Sequence, residues 1–213
     1  MPNSDLTYLV FLLDRSGSMQ SIKSDIEGGF AAFIAEQREA DGRCLVTLAQ
    51  FSTTYDVVYR GMPVDETPPL ELRPSGGTAL LDAMGRLITE VSAEIAALPE
   101  DERPGTVIVA IMTDGHENSS RDWTHPAIKA LVELHTDQFD WQFLYLGADQ
   151  DAIEVGARLG VKRDQSVTYS KGKSRDAMAA ASSNIRNYRT AKTIDAAAVM
   201  PEFSDVQRAA LDD

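Results

Sequence analysis

Thr7-Tyr8-Leu9-Val10-Phe11-Leu12-Leu13, followed directly by Asp14-Arg15-Ser16-Gly17-Ser18, is the stretch on which the fold turns. Residues 7–13 are almost continuously apolar, so an extended segment here buries both faces, the pattern of a central parallel strand. The abrupt change to small polar residues marks the carboxyl end of that strand. Downstream, Ile22, Ile26, Phe30, Phe33 and Ile34 recur at helical spacing, and a long helix follows the turn. Gly28-Gly29 inside it costs ~1 kcal/mol per glycine relative to alanine. Close packing of this helix on the sheet is the expected compensation.

The pattern continues outward. Residues 44–51 and 55–60 are two β-rich runs separated by Ser52-Thr53-Thr54, a hairpin whose second strand becomes an antiparallel edge. Residues 61–77 are rich in proline, acid and glycine without periodicity and read as a long loop. A helix is expected over 78–98, a second doubly buried strand over 106–112, and a helix over 123–136 with Thr124 as N-cap near Pro126. A third buried strand covers 141–146, a short helix 151–159, a short strand 166–169 and a final helix 174–189. Strands alternating with helices, without internal repeat, define an α/β protein: a doubly wound, mostly parallel open sheet with one antiparallel edge strand and helices on both faces. Residues 1–190 form that domain. Residues 191–213 form an alanine-rich tail in which Phe203-Ser204-Asp205-Val206-Gln207 resembles a capping box with a hydrophobic staple, opening a short helix.

Composition narrows the function. A chain of 213 residues suits one domain, and 43% hydrophobic with 25% charged residues is ordinary for a protein with a real core. Twenty Lys and Arg against 33 Asp and Glu give a net charge of −13, with a pI near 4.6. That balance argues against gripping nucleic acid or an anionic membrane through a broad basic face. The single Cys44 excludes an intramolecular disulfide and sits in a strand-like run as a small core residue. The apolar runs at 8–13 and 107–112 are too short to span a bilayer. The first residues lack the basic and apolar regions of a secretory signal, so a cytoplasmic location is expected. Asn118-Ser119-Ser120 is then a chance match to the glycosylation sequon.

In an open α/β sheet, ligands bind beyond the carboxyl ends of the strands. Three polar segments fall there. Asp14-Arg15-Ser16-Gly17-Ser18 follows the first strand, Thr113-Asp114-Gly115 follows the strand 106–112, and Gly76-Gly77-Thr78 opens the helix between them. Two carboxylates and three hydroxyls converging at one edge make an oxygen-only site for a hard divalent cation such as Mg²⁺, which commonly uses one or two carboxylates and retains water. Softer metals fit less well, because no thiolate or histidine cluster lies in these loops. His116 reads as a surface or supporting residue, and His125 and His135 as ordinary helix residues. Taken singly, the segments are also structural signals. Ser18 or Ser21 would cap the first helix, Thr78 the second, and Asp114-Gly115 is a common turn pair.

Asp14-x-Ser16-x-Ser18 after an apolar strand, a downstream Thr78, and Asp114-Gly115 after another strand resemble the metal-ion-dependent adhesion site of von Willebrand factor type A domains. The element order matches over residues 7–189, and all five positions are intact. The resemblance, which is to bacterial cytoplasmic stand-alone members, implies that Ser16 and Ser18 bind the ion directly and Asp14 mostly through water. It further implies that Thr78 and Asp114 exchange direct and water-mediated roles between two states. One coordination position is then left for an Asp or Glu of a partner protein. Mg²⁺ is the implied ion, with Mn²⁺ or Ca²⁺ as substitutes. No small-molecule substrate is expected.

Two other chemistries are weaker. An aspartate-nucleophile phosphatase places a second carboxylate two residues after the first, where this chain has Ser16, a poor proton donor to a leaving group. Gly172-Lys173-Ser174 resembles the end of a phosphate-binding loop, but Val167 stands where that pattern needs glycine. Lys171, Lys173 and Arg175 read as a solvated basic turn or a partner contact. Specificity is expected from Asp65, Glu66 and Leu70, from residues 116–121, and from Arg15 pointing outward to steer a carboxylate. Tyr8, Trp141 and Phe143 belong to the core. Scatter of the five oxygen-bearing groups, or a lysine ammonium standing in the ion's place, would contradict the metal reading.

Overall fold

Leu9, Phe11 and Leu13 alternate with Tyr8, Val10 and Leu12 along β1 (Asn3–Asp14), and both sets are buried. A strand whose successive side chains point to opposite faces can bury both only at the middle of a covered sheet. That is where the computed structural model, which describes residues 2–212, places it. The other strands are β2 (Arg43–Phe51), β3 (Tyr55–Pro63), β4 (Pro104–Thr113), β5 (Gln142–Ala148) and β6 (Ser166–Tyr169), in the order β3-β2-β1-β4-β5-β6. All neighbours run parallel except β2 and β3, so the expected antiparallel edge is present. Leu9 stands opposite Val46 on one side and Ile108 on the other.

Helices cover both faces. Leu9, Phe11 and Leu13 meet α1 (Lys23–Arg38) and α5 (Ser174–Ile194). Tyr8, Val10 and Leu12 meet α2 (Leu80–Ala97) and α3 (His125–Phe139), with α4 (Ala152–Arg158) beyond. Phe11 sits edge-on to Phe30 and to Phe33, with ring centroids 5.3 Å apart in both pairs. Each such buried ring contributes about 1.5–3 kcal/mol from area alone. Tyr8, Trp141 and Phe143 are core residues, as expected. Cys44 is buried too, and burial pushes its thiol up to about 11, so it stays protonated and inert. Among the described residues, no helix is long and apolar enough to cross a membrane.

Three expectations need correction. The Gly28-Gly29 pair admits a helix, not the sheet: a Cβ on Gly29 would lie 3.0 Å from Met178 Sδ and 3.2 Å from Arg175 Cα, both on α5. The segment 61–77 is less irregular than its composition suggests. β3 continues to Pro63 because Met62 and Pro63 still pair with Val46 and Leu45, and a 3₁₀ turn follows at Val64–Glu66. Leu70 and Leu72 are then buried in the core, with Leu72 N donating to Glu27 Oε1 at 2.9 Å. β1 begins at Asn3, ahead of the apolar run, because Asn3 still pairs with Pro104 of β4.

The C-terminal segment docks. Ser204 and Gln207 form the capping box that opens α6 (Asp205–Leu211), and Met200, Phe203 and Leu211 are buried on the α1/α5 side. Arg208 donates to Ser166 O at 2.8 Å and Ser170 N to Leu211 O at 2.9 Å, so this segment lies along β6. At the opposite end of the strands, Arg189 is only 2% exposed. Its guanidinium donates to Gln37 O (2.9 Å), Gln37 Oε1 (3.0 Å) and Gly42 O (3.0 Å), joining α5 to the end of α1.

Candidate metal centre

β1 is the point where the winding of the chain reverses: the connection after it leads to β2 on one side, and the later strand β4 lies on the other. The crevice between the carboxyl ends of β1 and β4 is therefore the expected ligand position for this topology. Asp14 is the last residue of β1, and Asp114 follows the last residue of β4. Asp14, Ser16, Thr78 and Asp114 are buried, and Ser18 is exposed at the rim.

Backbone bonds lace the three polar segments together. Gly17 N donates to Gly76 O at 3.0 Å, and Ser75 N to Arg15 O at 2.8 Å. Thr78 N donates to Asn118 Oδ1 at 2.9 Å, while Thr78 O accepts from Asn118 N at 3.0 Å. Thr78 does not cap α2. That helix starts at Leu80 with Ala79 in the cap position and no side-chain cap bond. Its orphan amides are served from the loop after β4: Leu81 N donates to Glu117 Oε2 (2.9 Å) and Asp82 N to Ser120 Oγ (3.0 Å). Asp82 reciprocates, accepting from the amides of Arg121, Asp122 and Trp123. Neither Ser18 nor Ser21 caps α1, whose cap position is Ile22; Ser21 Oγ donates to Ser18 O instead. The hydroxyls of Ser18 and Thr78 are thus free of the capping roles that their sequence context allowed.

The five side chains meet. Ser16 Oγ and Ser18 Oγ are 3.1 Å apart, and Ser18 Oγ donates to Asp114 Oδ1 at 2.6 Å. A Cβ placed on Gly115 would lie 3.2 Å from Thr78 Oγ1 and 3.9 Å from Ser18 Oγ, so glycine keeps the cradle between those hydroxyls open. Asp14 accepts from Ser16 N and from Thr113 Oγ1, both at 2.6 Å. Burial pushes its carboxyl up to about 6, the bonds from Thr113 and Ser16 pull it back, and the neighbouring Asp114 charge adds to the rise. Asp114 Oδ2 is buried and accepts no hydrogen bond.

A buried carboxylate oxygen without a donor, a second carboxylate beside it and three hydroxyls fit a hard cation, which would offset the repulsion that the fold itself leaves standing. Among the described residues, no three His, Cys, Asp or Glu side chains converge, so the donor set differs from that of thiolate and imidazole sites. Lys171 Nζ lies 3.5 Å from Asp114 Oδ2 and makes no hydrogen bond with Asp14, Ser16, Ser18 or Thr78. Its ammonium stands at one carboxylate of the cluster.

The surrounding residues depart further from expectation. Arg15 does not point outward: its guanidinium is tied to Thr54 and Asp56 of the β2–β3 hairpin. Asp65 and Glu66 lie at the amino-terminal edge of the parallel strands, where Arg38 Nε donates to Val64 O at 3.0 Å, and Leu70 is buried. Asp65 and Glu66 thus lie at the other edge of the sheet from Asp114, and Leu70 offers no surface. Within 116–121, Glu117 and Asn118 are committed to holding α2 and Thr78, whereas His116 is exposed. Thr113 and Lys171 are contributors that sequence reasoning did not place at the site, and Asn118, expected among the specificity residues, instead holds Thr78. Thr113 had a signal, standing beside Asp114 at the end of a buried strand. Lys171 stood out only as part of a basic turn, since the fold alone brings the turn after β6 to Asp114.

Solved structures share this architecture. The chain is similar to proximal thread matrix protein 1 from the mussel byssus, solved with a zinc-occupied metal-ion-dependent adhesion site (14% identity, TM-score 0.56, covering 83% of this chain and 46% of that one). It is similar to a von Willebrand factor type A protein from Catenulispora acidiphila (14%, 0.53, 87% and 42%). It is also similar to the pilus adhesin SpaC from Lactobacillus rhamnosus GG (15%, 0.62, 84% and 30%). The chain has the von Willebrand factor type A fold, and it spans less than half the length of each of these proteins. No family model matches the sequence. No curated protein matches it either.

Proposed function

We propose that this chain is a divalent-metal-dependent protein-binding module that captures an Asp or Glu of a partner protein. The observation that carries this reading is the buried, donor-free Asp114 Oδ2 inside a cluster with Asp14 and the hydroxyls of Ser16, Ser18 and Thr78. Those five side chains would hold the ion, with Mg²⁺ as the best match to an all-oxygen set of two carboxylates. Bound there, the ion supplies a positive centre that attracts a carboxylate. The chain's own contribution is to leave that centre underneutralised. Asp14 spends both oxygens on Thr113 and the Ser16 amide, and the remaining donors except Asp114 are neutral hydroxyls. Ser18, exposed at the rim, marks the side from which a ligand arrives. A polar hollow of about 640 Å³ lined by Thr53, Asp82, Ser119 and Arg121 lies beside Asn118 and gives the partner's neighbouring residues a place to sit.

Catalysis is not part of this reading, because the acid/base position two residues after Asp14 is Ser16. Mg²⁺ or Mn²⁺ at about 100 times its Kd is expected to stabilise the protein by about 2.7 kcal/mol, raising Tm by about 5–10 °C. Asp14→Ala and Thr78→Ala should lose most of that rise while keeping the fold, as checked by calorimetry and circular dichroism. An equal response in both variants would place the ion elsewhere. Affinity capture with Mg²⁺ and again with a chelator tests the partner, which should be retained only with the metal. Phosphate-ester turnover that vanishes in Asp14→Ala would favour a hydrolase instead.

A further inference from the structure

Among the described residues, Lys171 is the cation that pairs with an acid of the cluster. It belongs to the 3₁₀ turn Lys171–Lys173 after β6, and its backbone is fixed from several sides. Ser170 N donates to Leu211 O (2.9 Å), Lys173 N to Ser170 O (2.7 Å), and Ser174 Oγ to Lys171 O (2.9 Å). The turn is thus held between α6 and the start of α5, and the lysine stem starts from a set position. Its ammonium, 38% exposed, ends 3.5 Å from an Asp114 oxygen that is fully buried and has no hydrogen-bond donor. The other basic residues of this segment are engaged elsewhere: Lys173 faces Asp176 at 3.9 Å, and Arg175 packs over Gly28 of α1.

We infer that Lys171 is a tethered competitor of the metal ion: its ammonium neutralises Asp114 in the metal-free protein and must move aside for a divalent cation to use that carboxylate. The inference rests on the metal-binding reading above and deepens it by naming what sets the affinity of the site. Two cations cannot share one carboxylate oxygen at contact without strong repulsion, since charges +2 and +1 about 5 Å apart oppose each other even at a water-like dielectric. A lysine on a four-carbon stem, partly in solvent, can swing away without disturbing the fold, whereas a buried guanidinium held in a fork could not. The displaced ammonium stays close to the rim, so the site trades a weak internal ion pair for the metal and does not lose the charge from its surroundings. Metal occupancy therefore requires a higher ion concentration than the five oxygens alone would set.

The test is Mg²⁺ and Mn²⁺ titration of the full chain by isothermal calorimetry, on wild type, Lys171→Met and Lys173→Met. Lys173→Met removes the same charge from the same turn and so controls for net charge. Lys171→Met is expected to bind the ion about tenfold more tightly than wild type. Lys173→Met is expected to change Kd by less than about twofold, as a screened exposed charge should. Lys171→Arg should keep the weaker wild-type affinity. Equal affinity in wild type and Lys171→Met, weaker binding in Lys171→Met, or equal tightening by both methionine variants would overturn the inference while leaving the metal site standing. No binding by wild type or by Lys171→Met would overturn the metal reading and this inference together. Binding by Lys171→Met alone would support both.

Discussion

Arg189 and Asp114 are both buried charges at opposite ends of the same sheet, and they are treated in opposite ways. The Arg189 guanidinium is spent on carbonyl and amide oxygens from the end of α1 and the turn after it, with no carboxylate among them. It satisfies backbone acceptors that a helix end leaves over, and it fixes α5 against α1. Asp114 keeps one oxygen without a donor, beside a second carboxylate and a movable lysine. The first charge serves the fold through its two terminal nitrogens, while its Nε stays unpartnered. The second keeps one buried oxygen without a donor, an arrangement that costs stability unless a cation meets it. Each keeps one buried polar atom without a hydrogen-bond partner, Arg189 Nε and Asp114 Oδ2, so the difference lies in the surroundings: Arg189 is ringed by oxygens that stabilise it, whereas Asp114 stands beside a second carboxylate.

Substitution can break or sharpen that contrast. The largest effect is expected from Arg189→Met, which strips acceptors at Gln37 and Gly42 of their donor and should cost about 3–5 kcal/mol in urea unfolding. Metal affinity of the folded fraction should stay as in wild type. A cost below about 1 kcal/mol would show that the guanidinium locks nothing. Asp82→Ala comes next. It frees three amides of the 121–123 segment and should lower stability by about 2 kcal/mol. Because that segment holds the loop that positions Thr78, the Mg²⁺-induced rise in Tm should shrink as well. Ser204→Ala removes the cap of α6 and should cost about 1 kcal/mol, with hydrogen exchange rising first at residues 204–211. Asp114→Asn should have the smallest effect on the metal-free protein, a change within about 1 kcal/mol and in the stabilising direction. It relieves repulsion with Asp14 and gives up one ion pair, at 3.5 Å, to a partly exposed lysine. The same variant should lose metal-induced stabilisation, and a large destabilisation would mean that Asp114 is structural after all.

Much of this was legible in the sequence because doubly buried strands are continuous apolar runs. Residues 7–13 and 106–112 announce themselves, and the polar residues that follow them must lie at the ligand-binding edge. Asp14, Ser16, Ser18, Thr78 and Asp114 are found together for that reason. What was hidden depends on contacts between segments with no shared period. Leu70 sits in a loop-like composition yet reaches the core, and Arg15 stands in the motif yet turns to Asp56 of the hairpin. The Gly28-Gly29 pair signalled a close approach but not its partner, because spacing along one helix says nothing about which element lies against it. The Lys171 contact was the least readable, since it is made by a turn whose position is set from the C-terminal segment.

That segment has a consequence for assembly. With α6 and its lead-in laid along β6, β3 is the other margin of the sheet among the described residues, and it carries an exposed Val58 where its register with β2 shifts. A margin of this kind can accept a strand from one neighbour. Growth into a fibre would need a second bare margin, and α6 lies along that one.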